Sequence, residues 1–236
     1  MTSQMSSKTF PSLNLERELW ASGARYIIGM DEVGRGAIAG PVAVGVAILD
    51  RADQRIDLPW PANLKDSKLL SEKARVEILQ PVKDWVVGHA VGMATAAEID
   101  AQGIVYALAT SASRALDQLL SDANLRRSIA QDGAIIILDG SHNWLGAKAS
   151  GIPVIVRTKA DRDCVSVAAA SVISKVERDN LMIELASSYP EFGFEGHKGY
   201  ASERHIQAIR AIGPSEVHRH TWLTKILGDG QLFTEE

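Results

Sequence analysis

Two adjacent carboxylates, Asp31 and Glu32, sit inside the apolar run "YIIGMDEVGRGAIAGPVAVGVAIL", and Gly34-Arg35-Gly36 follows at once. Acidic side chains in such a setting face water at a strand end, take up protons, or bind a cation. Neighbours in a strand point to opposite faces, so both can serve one site only where the strand opens into a loop. Asp139 closes "AIIILD" and by itself reads as a turn-maker before Gly140. Asp161 and Asp163 precede a helical run, which either could cap or favour through its dipole. Taken together these residues say more. Strand ends and a helix start converge on one edge of an α/β sheet. Clustered carboxylates repel one another, and all-oxygen ligand sets suit Mg²⁺ and Mn²⁺. Phosphodiester hydrolysis is the chemistry that such a hard-ion site supports. A zinc-type histidine–cysteine cluster is missing, and His218-Arg219-His220 reads as surface or packing.

The glycines admit two readings. "GRGAIAG" fails the dinucleotide-loop pattern, because G-x-G-x-x-G is not matched and a strand-like segment follows instead of a helix. Either Gly34 and Gly36 let the backbone approach a ligand with Arg35 held beside it, or they form a tight hairpin with an exposed arginine. A backbone close to a sugar is one way to detect a 2′-hydroxyl, which separates RNA from DNA.

The elements that must position these residues follow from pattern. Ser12 is expected to cap a helix over "LNLERELWAS" that ends at Gly23. "ARYIIGMDE" and "PVAVGVAIL" predict strands, then a polar loop leads to a helix opened by Ser71 and bent or stopped by Pro81. "WVVGHAVGMAT", "GAIIILDG" and "IPVIVRT" predict further strands. Helices are expected over 104–120, 165–187, and from Ser202 to Gly213-Pro214. This order implies an α/β fold with a mixed β-sheet flanked by helices.

Bulk properties narrow the class. One cysteine in 236 residues excludes an internal disulfide framework and fits a reducing, cytoplasmic compartment. No signal peptide and no membrane-spanning apolar run is apparent, so no membrane partner is expected. A net charge of −4 is mild for a nucleic-acid binder, although site carboxylates mask local basic surface.

With these residues in hand, the sequence resembles the ribonuclease HII family from about Leu15 to Trp222. "DEVGRGAIAGPV", "KDSKLLSEKAR", "LDG", "KADRDCVSVAAASVISKVERD" and "FGFEGHKGYASERH" occur in the family's order. The resemblance implies a single ribonuclease H-like domain over 13–222, a helical C-terminal part at about 190–227, and flexible tails at 1–12 and 228–236. It implies catalytic metal ligands Asp31, Glu32, Asp139 and Asp161, with Mn²⁺ or Mg²⁺ as cofactor. Asp161 is chosen over Asp163 by the family's spacing to the "AAS" that follows. Gly34, Arg35 and Gly36 would contact a 2′-hydroxyl, Tyr200 would stack on the next deoxyribose, and Lys68, Ser171 and Lys175 would hold phosphates. Otherwise, a solvent-facing stripe would be the plainer reading of Lys175. Lys159-Ala160-Asp161 stands where the family usually has Lys-Gly-Asp, and Ser174 where alanine is usual.

The function implied is an endonuclease cutting the RNA strand of RNA–DNA hybrids, including 5′ of single ribonucleotides in duplex DNA. It would leave 5′-phosphate and 3′-hydroxyl ends and serve ribonucleotide and RNA-primer removal, as a monomer. Three rivals stand beside it. A ribonuclease HIII would carry an extra N-terminal domain, for which too few residues precede Asp31, and usually a fourth Glu. A non-catalytic hybrid binder predicts a broken acidic set, and a DNA-junction nuclease has no need of the "GRG" loop.

Overall fold

The computed structural model describes residues 10–227. Five strands form one sheet in the order β3-β2-β1-β4-β5: β1 Tyr26–Val33, β2 Val42–Asp50, β3 Gly88–Ala94, β4 Ala134–Asp139 and β5 Val154–Arg157. β1 pairs antiparallel with β2 and parallel with β4, so the sheet is mixed and β1 is its centre. The helices are α1 Asn14–Ala21, α2 Glu72–Trp85, α3 Ala96–Gln102, α4 Ile104–Leu120 and α5 Ala123–Asp132, followed by α6 Ala160–Asp163, α7 Val165–Ser188, α8 Phe194–His197, α9 Glu203–Ile212 and α10 His220–Leu227.

Alternation along β1 sets the two faces. Ile27 turns to the core beneath α7, whereas Ile28 and Met30 turn to the core beneath α4. Each fully buried aliphatic side chain of this kind contributes roughly 1.5–3 kcal/mol. α7 lies against the strands so closely that a Cβ at Gly29 would come 2.3 Å from the Ser166 backbone. One at Gly45 would come 2.3 Å from the Ala170 carbonyl. The glycines that interrupt these strands are therefore notches for a helix, and the small residues Ala168, Ala169 and Ala170 complete the fit.

Two expectations are revised. Ser12 caps nothing: α1 begins after Leu13 without a side-chain cap, and Ser12 instead forms a β-bridge with Cys164. Of the two alternatives for Pro81, bend or stop, the stop is excluded, because its helix runs on to Trp85. The bond it cannot make belongs to the Glu77 carbonyl, and both residues are exposed, which leaves that side of the helix open to solvent. The strand expected from Trp85 starts only at Gly88, and α3 and α5 have no counterpart in the sequence reading. No helix among the described residues is long and apolar enough to cross a membrane. Of the expected tails at 1–12 and 228–236, residues 1–9 and 228–236 lie outside the described residues, while Ser12 forms a β-bridge with Cys164.

Candidate active site

β1 remains paired with β2 through Val33, but its ladder with β4 stops at Met30 opposite Leu138. Asp31 and Glu32 thus stand where the strand has lost one neighbour, beside the end of β4 at Asp139. The strand opens on the β4 side alone, which is enough for neighbouring side chains to reach one place. Ligand atoms of Asp31, Glu32 and Asp139 lie within 4.8 Å of one another. Asp31 is buried against α7, and Glu32 turns toward Arg35, whose Nη1 is 3.3 Å from Oε1.

Asp161 arrives from the other side of the sheet end. Lys159 takes a left-handed conformation, φ 62°, and turns the chain from β5 into α6. The first residue of that helix, Ala160, donates its N–H to Asp139 Oδ1 at 2.7 Å. The left-handed residue is Lys159, so alanine at 160 needs no glycine-like backbone. Asp161 is buried and lies outside the group of three, with Oδ2 3.5 Å from Lys68 Nζ. Asp163 instead faces Arg157 at 2.6 Å, and its carbonyl accepts the Ser12 N–H. A further carboxylate, Asp66, is fully buried nearby. It accepts the Lys68 N–H at 2.9 Å and pairs with Arg162 Nε at 3.2 Å.

The electrostatics are frustrated. Two carboxylates within 4.8 Å repel by about 3 kcal/mol at an effective dielectric near 20. Burial pushes the Asp31 carboxyl well above its ordinary range; Lys68 and a Ser171 hydrogen bond pull the other way. Burial, then Asp139 and Asp66, push Asp161 up to about 6, against Lys68. Burial disfavours the Lys68 ammonium, but Asp31, Asp161, Asp66 and Asp139 together raise its proton affinity. Glu32 Oε2 is buried without any hydrogen-bond partner. An orphaned acceptor among repelling carboxylates is what a hard divalent cation satisfies, so the residues present fit Mg²⁺ or Mn²⁺.

Beside this group the Gly34-Arg35-Gly36 loop makes a tight turn, with Ala37 N–H bonded to the Gly34 carbonyl at 3.2 Å. Gly34 has φ 76°, and a Cβ there would fall 2.0 Å from Arg178 Nε, so packing as well as conformation requires glycine. Gly36, by contrast, is exposed with open space around it. Two arginines with no exposed surface hold the loop from behind. Arg219 donates to the carbonyls of Gly34 at 2.7 Å, Arg35 at 2.9 Å and Gly40 at 3.1 Å. Arg178 donates to those of Pro41 at 2.8 Å and Lys198 at 3.0 Å. Tyr200 is exposed, with its ring centroid 5.8 Å from the Arg178 guanidinium carbon. The preceding Gly199 accepts the Ile38 and Ala39 N–H groups.

The remaining expected residues divide. Ser171 is fully buried, and its hydroxyl meets that of Ser67 at 2.8 Å. Lys175 is not on a solvent-facing stripe. It is largely buried and pairs with Asp179 at 2.6 Å, a carboxylate it shares with Arg75 at 3.6 Å. Sequence reasoning missed Asp66, Arg178 and Arg219. Arg178 had a signal: Ser171, Ser174, Arg178 and Met182 recur at helical spacing and are all buried along α7. His218 and Arg219 are buried and His220 is exposed, so packing describes the first two and surface the third.

Residues 28–225 match the family model described as Ribonuclease HII. A ribonuclease HII of Streptomyces avermitilis is 43% identical over 215 residues, covering 90% of this chain and 83% of that protein. Among solved structures, ribonuclease H2 of Pyrococcus horikoshii OT3 is similar with TM-score 0.60 and 26% identity, over 86% of this chain and 96% of that one. Bst-RNase HIII in complex with Mn²⁺ is similar with TM-score 0.56 and 26% identity, over 81% of this chain and 64% of that one.

Proposed function

The chain belongs to the ribonuclease HII family of ribonuclease H enzymes, and we propose that it cuts the RNA strand of RNA–DNA hybrids, including 5′ of single ribonucleotides in duplex DNA. One observation carries this reading: Asp31 and Glu32 of the carboxylate group are contiguous with the Gly34–Gly36 turn in one strand and its loop, with Tyr200 tied to the same loop through Gly199.

Asp31, Glu32 and Asp139, with Asp161 as the fourth, would hold Mn²⁺ or Mg²⁺. When bound, a hard divalent ion supplies charge neutralisation for the phosphate and a more acidic water. The protein's own residues do the rest. Ala160 N–H orients the Asp139 carboxylate, and Arg219 fixes the carbonyls of the turn so that its exposed edge at Gly36 is presented to a sugar. Tyr200 offers an exposed ring to the following deoxyribose, the kind of surface on which nucleotides stack. Lys68, 63% exposed, is free to turn from Asp161 to a phosphate, which would position the duplex without reading its sequence. Ser171 would contribute through its contact with Ser67, and Lys175 from beside Asp179. Cleavage on the 5′ side of the ribonucleotide leaves a 5′-phosphate and a 3′-hydroxyl, ends suited to ribonucleotide and primer removal. We place this activity in a cytoplasmic monomer.

The test is a labelled DNA duplex with one ribonucleotide, beside an all-DNA duplex and a uniform hybrid, with Mn²⁺, Mg²⁺ or chelator. The expected outcome is one metal-dependent cut 5′ to the ribonucleotide. Equal cutting of the all-DNA duplex would reject the sugar reader. Cutting of the uniform hybrid alone would reject the junction preference.

A further inference from the structure

Behind the Gly34–Gly36 loop, two chain segments clamp residues 38–40 from opposite sides. On one side the Gly199 carbonyl accepts the N–H groups of Ile38 at 2.9 Å and Ala39 at 3.1 Å. On the other, Arg219 N–H donates to the Ile38 carbonyl at 2.9 Å, and Gly40 N–H to that of Val217 at 2.8 Å. The first segment carries Tyr200 and the second carries Arg219. What links them to each other is a contact between two fully buried imidazoles, His205 Nε2 to His218 Nε2 at 3.0 Å.

The partners fix where every proton lies. His205 Nδ1 is 2.9 Å from the Tyr200 carbonyl, which only accepts, so Nδ1 carries the hydrogen. In the neutral ring Nε2 is then the acceptor, and His218 must donate from its own Nε2. That leaves His218 Nδ1 as an acceptor: the Ser215 N–H points at it at 2.9 Å and the Ser215 hydroxyl lies at 2.9 Å, both nearer than the Ser215 carbonyl at 3.3 Å. The chain runs Ser215 to His218 to His205 to Tyr200 with one proton per link. A second proton on either ring would place two N–H groups face to face or strip Ser215 of its acceptor. Aromatic packing keeps water out: Phe192 meets the His218 ring at 4.6 Å and Phe194 the His205 ring at 5.4 Å between centroids.

We infer that His205 and His218 are positioning residues for substrate choice, a neutral imidazole relay of fixed tautomers that holds Tyr200 in register with the Gly34–Gly36 loop. The inference rests on the junction reading above. Neither ring touches the carboxylate group, so the relay acts on where the sugar platform sits rather than on the cleavage step.

Two measurements test it. In the first, long-range ¹H–¹⁵N spectra of ¹⁵N-histidine-labelled protein at pH 7 are expected to show His205 protonated on Nδ1 alone and His218 on Nε2 alone. Averaged tautomers, or the reverse assignment, would overturn the relay whatever the enzyme prefers. In the second, His205→Asn keeps a donor for the Tyr200 carbonyl but removes the link to His218. It is expected to lower kcat/KM for the single-ribonucleotide duplex on the order of tenfold relative to the uniform hybrid, below the roughly 10²-fold that a full 1 Å misplacement can cost. His205→Gln, which keeps an acceptor for His218, is the companion variant if the first does not fold. An unchanged ratio, or equal loss on both substrates, in folded protein would overturn the positioning role. A wild-type enzyme with no junction preference would sink the parent reading, and the spectra would then decide the relay alone.

Discussion

The molecule buries like charges in two adjoining places and treats them in opposite ways. At the ends of β1 and β4, carboxylates crowd within 4.8 Å, and Glu32 Oε2 is left without a partner. Behind the loop, Arg178 and Arg219 are at least as deeply buried, yet their guanidiniums are spent on backbone carbonyls. The carboxylate group is left open to a cation from outside; the arginine clamp is complete within the fold. A site suited to bind an ion keeps unsatisfied charge. A surface that must hold one shape does not.

This contrast is sharpest in variants of opposite sign. Asp31→Asn is expected to reduce single-turnover cleavage by 10³-fold or more, the scale of several kcal/mol of lost charge stabilisation. The same change is expected to raise the melting temperature of metal-free protein, because it removes a buried, repelled charge. A fall in that temperature would break the comparison.

Arg219→Met is expected to act on the fold instead. It strands the carbonyls of Gly34, Arg35 and Gly40, so denaturant unfolding should show a loss of about 3 kcal/mol or more. A loss below about 1 kcal/mol would mean that water replaces the guanidinium.

A smaller effect is expected from Gly34→Ala. Its φ of 76° and the 2.0 Å approach to Arg178 predict a cost of roughly 1–3 kcal/mol together with weaker discrimination of ribonucleotide-containing from all-DNA duplex. Unchanged discrimination in a destabilised variant would separate loop shape from sugar reading.

A further effect is a pH dependence in which the two regions pull against each other. Burial lowers His205 to about 4 and His218 to about 3 from 6.5, so the unfolded chain binds protons first on acidification. Their contribution is therefore complete above pH 6.5 and is lost as pH falls toward 4, by about 1.4 kcal/mol per pH unit for each ring. Asp161, raised to about 6, has the opposite sign: folded metal-free protein gains stability as pH falls from 6 toward 3.8. Denaturant titrations of wild type and Asp161→Asn between pH 4 and 7 measure the difference. The variant should lose stability more steeply on acidification.

Much of this was legible in sequence because local pattern was enough. Runs such as "AIIILD" and the span of α4 over 104–120 follow from apolar periodicity, and the Ser202 cap is present where its residue type predicts it. Ser12 shows the limit, since its backbone is claimed by Cys164, 152 positions away in the chain, through a β-bridge. α3 and α5 were missed because they are short and their apolar residues few. Asp139 and Asp161 were individually ambiguous, for a capping aspartate and a ligand are the same residue type at the same kind of place.

What the sequence determined by itself was the chemistry on offer: which strands carry carboxylates, where glycine must stand, and which helices follow. Tertiary structure decided which of these groups meet. It brought Asp31, Glu32 and Asp139 together through the strand order, drew Lys175 away to Asp179, and set Arg178, Arg219 and two histidines behind the loop. The reason is physical. Periodicity records which face of an element is apolar, whereas the pairing of buried charges depends on contacts between segments far apart in the chain.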